Sequence, residues 1–374
     1  MIGDIQQKEI KEIYRTSIIQ QTAFWSNVKT LQGVETKAYD FKSKKANLFS
    51  DNHDDTYIIG DLLIVIQKLD KDHCIAYVPY GPEIEPSAEN QGFFLEQLSE
   101  GLRTFLPHNC IMIRYDLSWE SQWANEDHCY DVHGNWIGMP EKRIQEMRVN
   151  FNTNHWNLRK ANTDILPSNT IFMDLNKCSD ELLANMKPKT RYNINLAQRK
   201  GVNIKMLGME SLAVWYELYR QTAQRNNFFL HSIDYFRVVI SARANDTNSP
   251  ADVYLLIAEV DDKPLAAMFL IVANKRGTYL YGASSSENRN YMATYALQWK
   301  AMEWCKLKGC TEYDFFGISP NPDPSHPLYG LYRFKSGFGG EMLHRMGCWD
   351  YPLLNDKYQY YKSVEFKNQS YHLS

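Results

Sequence analysis

Two stretches of the chain share one order of apolar and polar positions. In residues 56–117, apolar runs at 57–59 and 62–66 meet a charged turn at 68–72. A second run at 74–79 ends in Tyr80-Gly81, and a polar loop follows. Apolar positions at 93, 94, 95, 98, 102 and 105 then fall on one face of a helix over 93–105. A third run, 110–116, closes the unit on Asp116.

Residues 252–318 repeat the plan. The spacing predicts strands over 253–260 and 265–273, joined by an Asp-Asp-Lys-Pro turn, and a third over 278–282 ending in Tyr281-Gly282. A polar loop at 284–289 enters a helix over 291–308 that Gly309 stops, and a run at 313–318 carries Asp314. From the glycine to the aspartate is 35 residues in the first unit and 32 in the second. The pattern reads as one mixed α/β (α+β) module written twice. Hairpins followed by a helix and one more strand exclude a plain alternating βαβ sheet. The join falls at about 118–168, so the expected modules are 1–150 plus about 347–374, and 151–346.

Composition narrows the class. Of 374 residues, 44% are hydrophobic and fifty are aromatic, which excludes disorder as the main state. No run reaches the roughly 18 apolar residues needed to span a bilayer, and the first residues lack a signal-peptide pattern. A cytoplasmic protein is expected. The net charge of −3 argues against a dedicated DNA binder. Seven cysteines without a CxxC spacing read as reduced, mostly buried thiols.

Two segments carry candidate chemistry. Residues 187–205 hold six basic residues and no acidic one, between Pro188 at a helix start and Gly201 at its end. Such a face suits phosphates; a solvated helix face is the plain alternative. Residues 329–340 set Arg333 and Lys335 in an aromatic and glycine-rich run. There, a lysine shielded from water suits an oxyanion; a structural turn with snorkelling cations is the alternative. Asp127, His128, Cys129, Asp131 and His133 lack a second ligand cluster and read as a surface loop, with no metal expected. No phosphate-loop, dinucleotide or serine-hydrolase motif is present, so covalent catalysis has no support.

Several stretches together resemble the Fem family of peptidoglycan-bridge aminoacyltransferases. They are Gln21-Thr22-Ala23-Phe24-Trp25 with Lys29, Tyr80-Gly81-Pro82, Trp156-Asn157-Leu158-Arg159-Lys160-Ala161, residues 189–201, Thr222 with Arg225, residues 279–284, residues 314–318, and Phe334-Lys335 with Phe338-Gly339. The resemblance implies two tandem modules of the fold related to N-acetyltransferases. It implies transfer of an amino acid from aminoacyl-tRNA to an amine on the stem peptide of a UDP-linked or lipid-linked muropeptide, with no cofactor. Peripheral contact with the inner membrane surface is expected as well.

Site residues follow from the same resemblance. Lys29 and Arg225 match cations that hold the precursor's phosphates, and Tyr279 and Tyr281 match acceptor-site tyrosines. Lys335, after Phe334, matches a lysine that stabilises the transition state, and Asp116 matches an acidic group near the acceptor amine. Lys187, Lys189, Arg191, Arg199 and Lys200 are assigned to tRNA phosphates, whose contacts are salt-sensitive. The interval 199–253 lacks sustained heptads, so the chain resembles the members without a coiled-coil arm. Residues 118–141 have no counterpart in the family pattern. Two other functions remain open: an acyl-CoA-dependent N-acyltransferase, disfavoured because 284–293 lacks the glycines of a pyrophosphate loop, and an inactive RNA- or muropeptide-binding protein.

Overall fold

The computed structural model describes residues 2–50 and 54–367. The chain divides into two compact units. The first comprises residues up to Ser168, the short segment Asp246–Ser249 and the chain from His344 onward; the second holds the rest of the described chain. The last residues of the expected first module, 368–374, lie outside the described residues.

In the first unit the elements run β1 (Ile2–Lys8), α1 (Ala23–Leu31), β2 (Glu35–Lys44), α2 (Lys45–Leu48), β3 (Tyr57–Lys68), β4 (Cys74–Pro79), α3 (Gln91–Leu102), β5 (Cys110–Glu120), α4 (Lys142–Asn150) and β6 (Arg159–Lys160). Strands β1 to β4 pair antiparallel in sequence order. Strand β5 lies parallel to β4, with Pro79 opposite Asp116, because helix α3 carries the chain back across the sheet. One face of α3, with Phe94, Leu95, Leu98 and Leu102, is fully buried against Phe41, Ile64, Ile113 and Trp119. Burying such side chains stabilises by about 1.5–3 kcal/mol each.

The second unit holds β7 (Asn169–Asp174), α5 (Ser179–Asn185), α6 (Pro188–Arg199), β8 (Asn203–Leu207), α7 (Leu212–Asn226), α8 (Ile233–Ser241), β9 (Ala251–Val260), β10 (Lys263–Ala273), β11 (Arg276–Ser284), α9 (Ala293–Leu307), β12 (Glu312–Asp314) and α10 (Tyr329–Lys335). Strands β8 to β11 pair antiparallel, and β12 lies parallel to β11. Strand β7 adds antiparallel to β12. The core gathers β10 and α9 residues, among them Met268, Leu270, Ala301 and Met302, around Phe315 and Phe338.

After the second unit, β13 (Glu341–Pro352) and α11 (Asn355–Lys367) follow. From Arg345, β13 pairs antiparallel with β5, and β6 pairs with it as well. Both units thus share four antiparallel strands, a helix, a parallel fifth strand and an antiparallel sixth; the repeated sequence pattern implied the hairpin, the helix and the strand after it. Their sixth strands differ in origin. In the second unit it is the unit's own first strand; in the first it arrives from the end of the chain.

Some expectations shift in detail. The runs at 57–59 and 62–66 form one strand, since Tyr57 to Ile66 all pair with β2. The run at 313–318 is a strand only to Asp314, whose carboxylate takes the Phe316 N–H at 2.8 Å where the backbone turns to φ +57°. The aromatic and glycine-rich run is helical over Tyr329–Lys335, and a 3-10 turn, Ser336–Phe338, follows. Residues 151–168 lie with the first unit. They are tied there by Asn150, whose side chain bonds both N–H and C=O of Leu158, and by the Lys160 ammonium on the carbonyls of Met346 and Cys348. No described helix is long and apolar enough to cross a membrane.

Candidate active site and family membership

Asp116 lies near the end of the parallel strand β5 and is fully buried. Its Oδ2 accepts from the Tyr77 hydroxyl at 3.0 Å and from the Leu166 N–H at 2.8 Å. No hydroxyl or N–H among the described residues reaches Oδ1. Burial, with the charge of Asp164 nearby, pushes the Asp116 carboxyl up to about 6. Asp164 is itself held ionised: despite burial, the Lys160 ammonium at 3.1 Å and the Cys348 N–H at 2.7 Å keep it low. The first unit therefore holds a buried carboxyl with a near-neutral titration, a property of a general base.

Lys335 ends α10 in the second unit. Its side chain is buried, and Nζ donates to the carbonyls of Phe316 (3.1 Å) and Gly317 (2.8 Å). The left-handed turn at Phe316 presents these two carbonyls. The Tyr279 ring lies below the ammonium, 5.1 Å to its centroid. Burial lowers the Lys335 ammonium to about 7, while Asp314 opposes the shift. An ammonium has three donors; two are engaged by carbonyls. Phe334 packs edge-on to Tyr295 and Phe338, fixing the helix that carries Lys335.

Tyr279 and Tyr281 lie on β11, half-buried. The Tyr281 hydroxyl shares a 2.6 Å hydrogen bond with that of Tyr235, which stacks on His231. A Cβ at Gly282 would sit 1.6 Å from the Tyr279 hydroxyl, so only glycine lets that ring cross the strand. Arg225, in the last turn of α7, donates to the Ser284 carbonyl (3.0 Å), Ser284 Oγ (2.9 Å) and Ser286 Oγ (3.2 Å). Burial and the neighbouring Arg289 lower its pKa. Arg225, Tyr279 and Tyr281 thus gather around β11.

Lys29 belongs to the first unit, in the last turn of α1. Its ammonium bonds Gln32 Oε1 at 3.2 Å and lies 5.1 Å from the Trp25 ring centroid. Burial lowers its pKa, and no carboxylate pairs with it among the described residues. A desolvated cation without a counter-ion is suited to an anionic ligand.

The basic helix α6 separates into working and free cations. Arg191 bonds the carbonyls of Leu183, Ala184 and Met186, closing the end of α5. Lys200 bonds the Asn290 carbonyl at 2.9 Å and lies over Tyr291. Lys187, Lys189 and Arg199 are exposed, the last beside the exposed ring of Tyr192. Among the described residues no cluster of histidines, cysteines and carboxylates is arranged to hold a metal.

Sequence reasoning missed Tyr77 and Tyr235. Tyr77 is one aromatic among many in a buried strand. Tyr235 follows a Ser-Ile-Asp start whose Ser232 caps α8, which marks the helix but not the hydroxyl's target.

Comparison with known proteins adds the family. The model of the FemAB family matches residues 12–263 and 251–365. The Lipid II:glycine glycyltransferase of Staphylococcus saprophyticus is 24% identical over 264 residues, 54% of this chain and 63% of that protein. Its namesake in Staphylococcus aureus (strain USA300) is 24% identical over 267 residues, 54% of this chain and 62% of that protein. The chain therefore spans less than two thirds of the length of these relatives. The crystal structure of FemX superposes with a TM-score of 0.71 at 17% identity, covering 96% of this chain and 100% of that one. The fold is thus α/β, two similar mixed modules in tandem that superpose on FemX, and the chain belongs to the FemAB family.

Proposed function

We propose that the chain transfers an amino acid from aminoacyl-tRNA to an amine on the stem peptide of a peptidoglycan precursor, building cell-wall cross-bridges. The buried Lys335 carries the reading: two of its N–H groups are fixed on carbonyls, and a third remains for a ligand oxygen. An aminoacyl ester is already activated, so no covalent enzyme intermediate is needed. The amine attacks the ester carbonyl, a C–N bond forms, and the ester C–O bond to the ribose breaks. Asp116, assigned to the acceptor amine by the resemblance, accepts the amine proton. Lys335 holds the oxyanion of the tetrahedral intermediate. The released ribose oxygen leaves as a hydroxyl, which balances the proton lost by the amine. Alignment supplies roughly 7–11 kcal/mol of the barrier and one oxyanion donor about 3–4 kcal/mol.

Lys29 and Arg225 take precursor phosphates, Tyr279 and Tyr281 line the acceptor, and Lys187, Lys189 and Arg199 meet tRNA phosphates. The names of the relatives favour a lipid-linked acceptor over a UDP-linked one. The test is transfer of radiolabelled amino acid from charged tRNA to a muropeptide, with free acyl-CoA as the competing donor. Label moving only from acyl-CoA would replace the reading with an N-acyltransferase on the same fold. Binding of both substrates without transfer would make the chain a binding protein.

A further inference from the structure

The C-terminus of α9 brings two cysteines together. Cys305 lies in its last turn, and Cys310 follows two residues after the cap, Lys308. The Cys310 N–H bonds the Cys305 carbonyl at 3.0 Å, and the Gly309 N–H bonds the Lys306 carbonyl at 2.9 Å, with Gly309 at φ +77°. Two such bonds around a left-handed glycine make a Schellman ending, which commonly brings these two side chains into contact. With standard bond lengths, the bond between Cys310 and Cys305 keeps their Cα atoms within about 7 Å, the reach of a disulfide. The two thiols share a hydrogen bond.

Charge sets the two sulfurs apart. The bond from Cys305 lowers the Cys310 thiol against its burial, and the charge of Lys275, whose ammonium lies 3.4 Å from the Gly309 carbonyl, adds to the effect. The same bond, with burial, raises Cys305. Cys310 is therefore the sulfur that ionises, and Cys305 keeps its proton. Cys310 also lies beneath the exposed turn of Lys308 and Gly309. The first unit offers a contrast. Cys74 and Cys110 are Cα partners across β4 and β5, but Cys110 Sγ is turned to the Met112 carbonyl at 3.3 Å and burial pushes its thiol up to about 12. Burial raises Cys74 as well. That pair holds two protonated thiols, whereas the pair at α9 holds a nucleophile beside a proton donor.

Cys305 also presses on β11. A Cβ at Gly277 would sit 2.2 Å from Cys305 Sγ, so this glycine seats the sulfur against the strand. Gly277 is the Cα partner of Tyr313 in β12 and stands two residues before Tyr279. The Tyr313 hydroxyl bonds Gln298 Oε1 at 2.6 Å, and Tyr279 bonds the same side chain.

We propose that Cys310 and Cys305 form a modification site for hydroperoxides, closing to a disulfide that disturbs the seat of Tyr279. The Cys310 sulfur attacks one peroxide oxygen and the O–O bond breaks. The leaving oxygen takes up the proton that Cys310 gave up, as an alcohol, or as water from hydrogen peroxide, and Cys310 becomes a sulfenic acid. The Cys305 sulfur then attacks that of Cys310: an S–S bond forms, the S–O bond breaks, and water leaves with the Cys305 proton. The two sulfurs lose two electrons and the peroxide gains them. At about 2.05 Å the new bond is far shorter than a contact between thiols, so Cys305 is drawn off Gly277.

The probe is hydrogen peroxide on the folded full chain, followed by alkylation under denaturing conditions and tryptic mass spectrometry. Lys306 and Lys308 separate the cysteines, so cleavage yields two peptides that only the disulfide joins. Wild type should give the joined pair and lose it with dithiothreitol, while Cys74 and Cys110 stay alkylated. Cys305→Ser should leave Cys310 as a sulfenic acid that dimedone traps. Lys275→Met should slow bridging severalfold. Absence of the joined pair at peroxide levels that oxidise the exposed Cys178, or equal bridging of Cys74 and Cys110, overturns the site. Amide hydrogen exchange over residues 277–281 should rise in the bridged protein and not in peroxide-treated Cys310→Ser. Unchanged exchange overturns the link to Tyr279. None of these readings needs turnover, so they stand or fall apart from the transfer reaction proposed above.

Discussion

The hydroxyl of Tyr77 and one oxygen of Asp116 are 3.0 Å apart, and that bond occupies the oxygen that Leu166 also holds, leaving the other without a hydroxyl or N–H partner among the described residues. A carboxyl raised to about 6 gives transfer an acid limb there, because the protonated form cannot accept the amine proton. Asp116→Asn should erase that limb and lower kcat by about 10²–10⁴-fold. Tyr77→Phe removes a donor that favours the ionised form, so the limb should move to higher pH. A pH–rate profile in which Tyr77→Phe leaves the limb where it was would deny the coupling.

Lys335 gives the alkaline side of the same profile, since its ammonium near 7 loses the proton that stabilises an oxyanion. Lys335→Ala should lower kcat by about 10²–10³-fold with little change in KM. Lys335→Arg should carry the alkaline limb upward and recover part of the rate. A KM that rises while kcat holds would make Lys335 a substrate anchor.

Stability reports on the same lysine with a definite sign. Its folded pKa lies below its unfolded one, so its contribution is fully present above about 10.5 and is lost as pH falls to about 7. Wild type should therefore gain on Lys335→Met by about 1.4 kcal/mol per pH unit above 7, and the difference should be flat below. Urea unfolding at pH 6, 8 and 9 measures it, and a constant difference would mean the buried ammonium stays charged throughout.

Arg191 and Arg199 lie on one helix but should answer differently to charge reversal. Arg191→Glu strips three carbonyls at the end of α5 and should cost about 1–3 kcal/mol of stability. Arg199→Glu should leave stability within about 0.5 kcal/mol. It should weaken charged tRNA and reduce the salt slope by about 1. Equal salt slopes in wild type and Arg199→Glu would return α6 to a solvated face.

Arg114 is buried between Asp350 of β13 (2.6 Å) and Glu365 of α11 (2.7 Å). Removing one partner of a buried ion pair leaves a charge uncompensated, so Arg114→Ala should destabilise by about 3–5 kcal/mol. Chemical denaturation gives the value; a loss below about 1 kcal/mol would mean the acids find water instead.

Much of this molecule can be read from one strand to the next. The runs ending in Tyr80 and Tyr281 mark the strand, helix and strand of each unit, and Pro188 and Gly201 bracket α6, the glycine at φ +77°. What could not be read depends on distant partners. Tyr77 meets Asp116 because a helical crossover sets β4 beside β5, and nothing local to either residue says so. In the glycine-rich run 337–340, Gly337 and Gly339 are close-packing points against Thr190 and the Asn185 carbonyl, partners distant in sequence.

The origin of the sixth strand in the first unit has a consequence for synthesis. While a ribosome makes the chain, β1 to β6 emerge first, but β5 meets β13 only after the whole second unit has been translated. At about 5–20 residues per second, on the order of ten to forty seconds separate Ser168 from Asp350. Through that interval Arg114 lacks both its acids and one edge of β5 is open, so the later-made half completes its sheet while the earlier-made half waits. A stalled or truncated chain ending before β13 would expose that edge, and chaperone capture of such nascent chains should exceed that of the full-length protein.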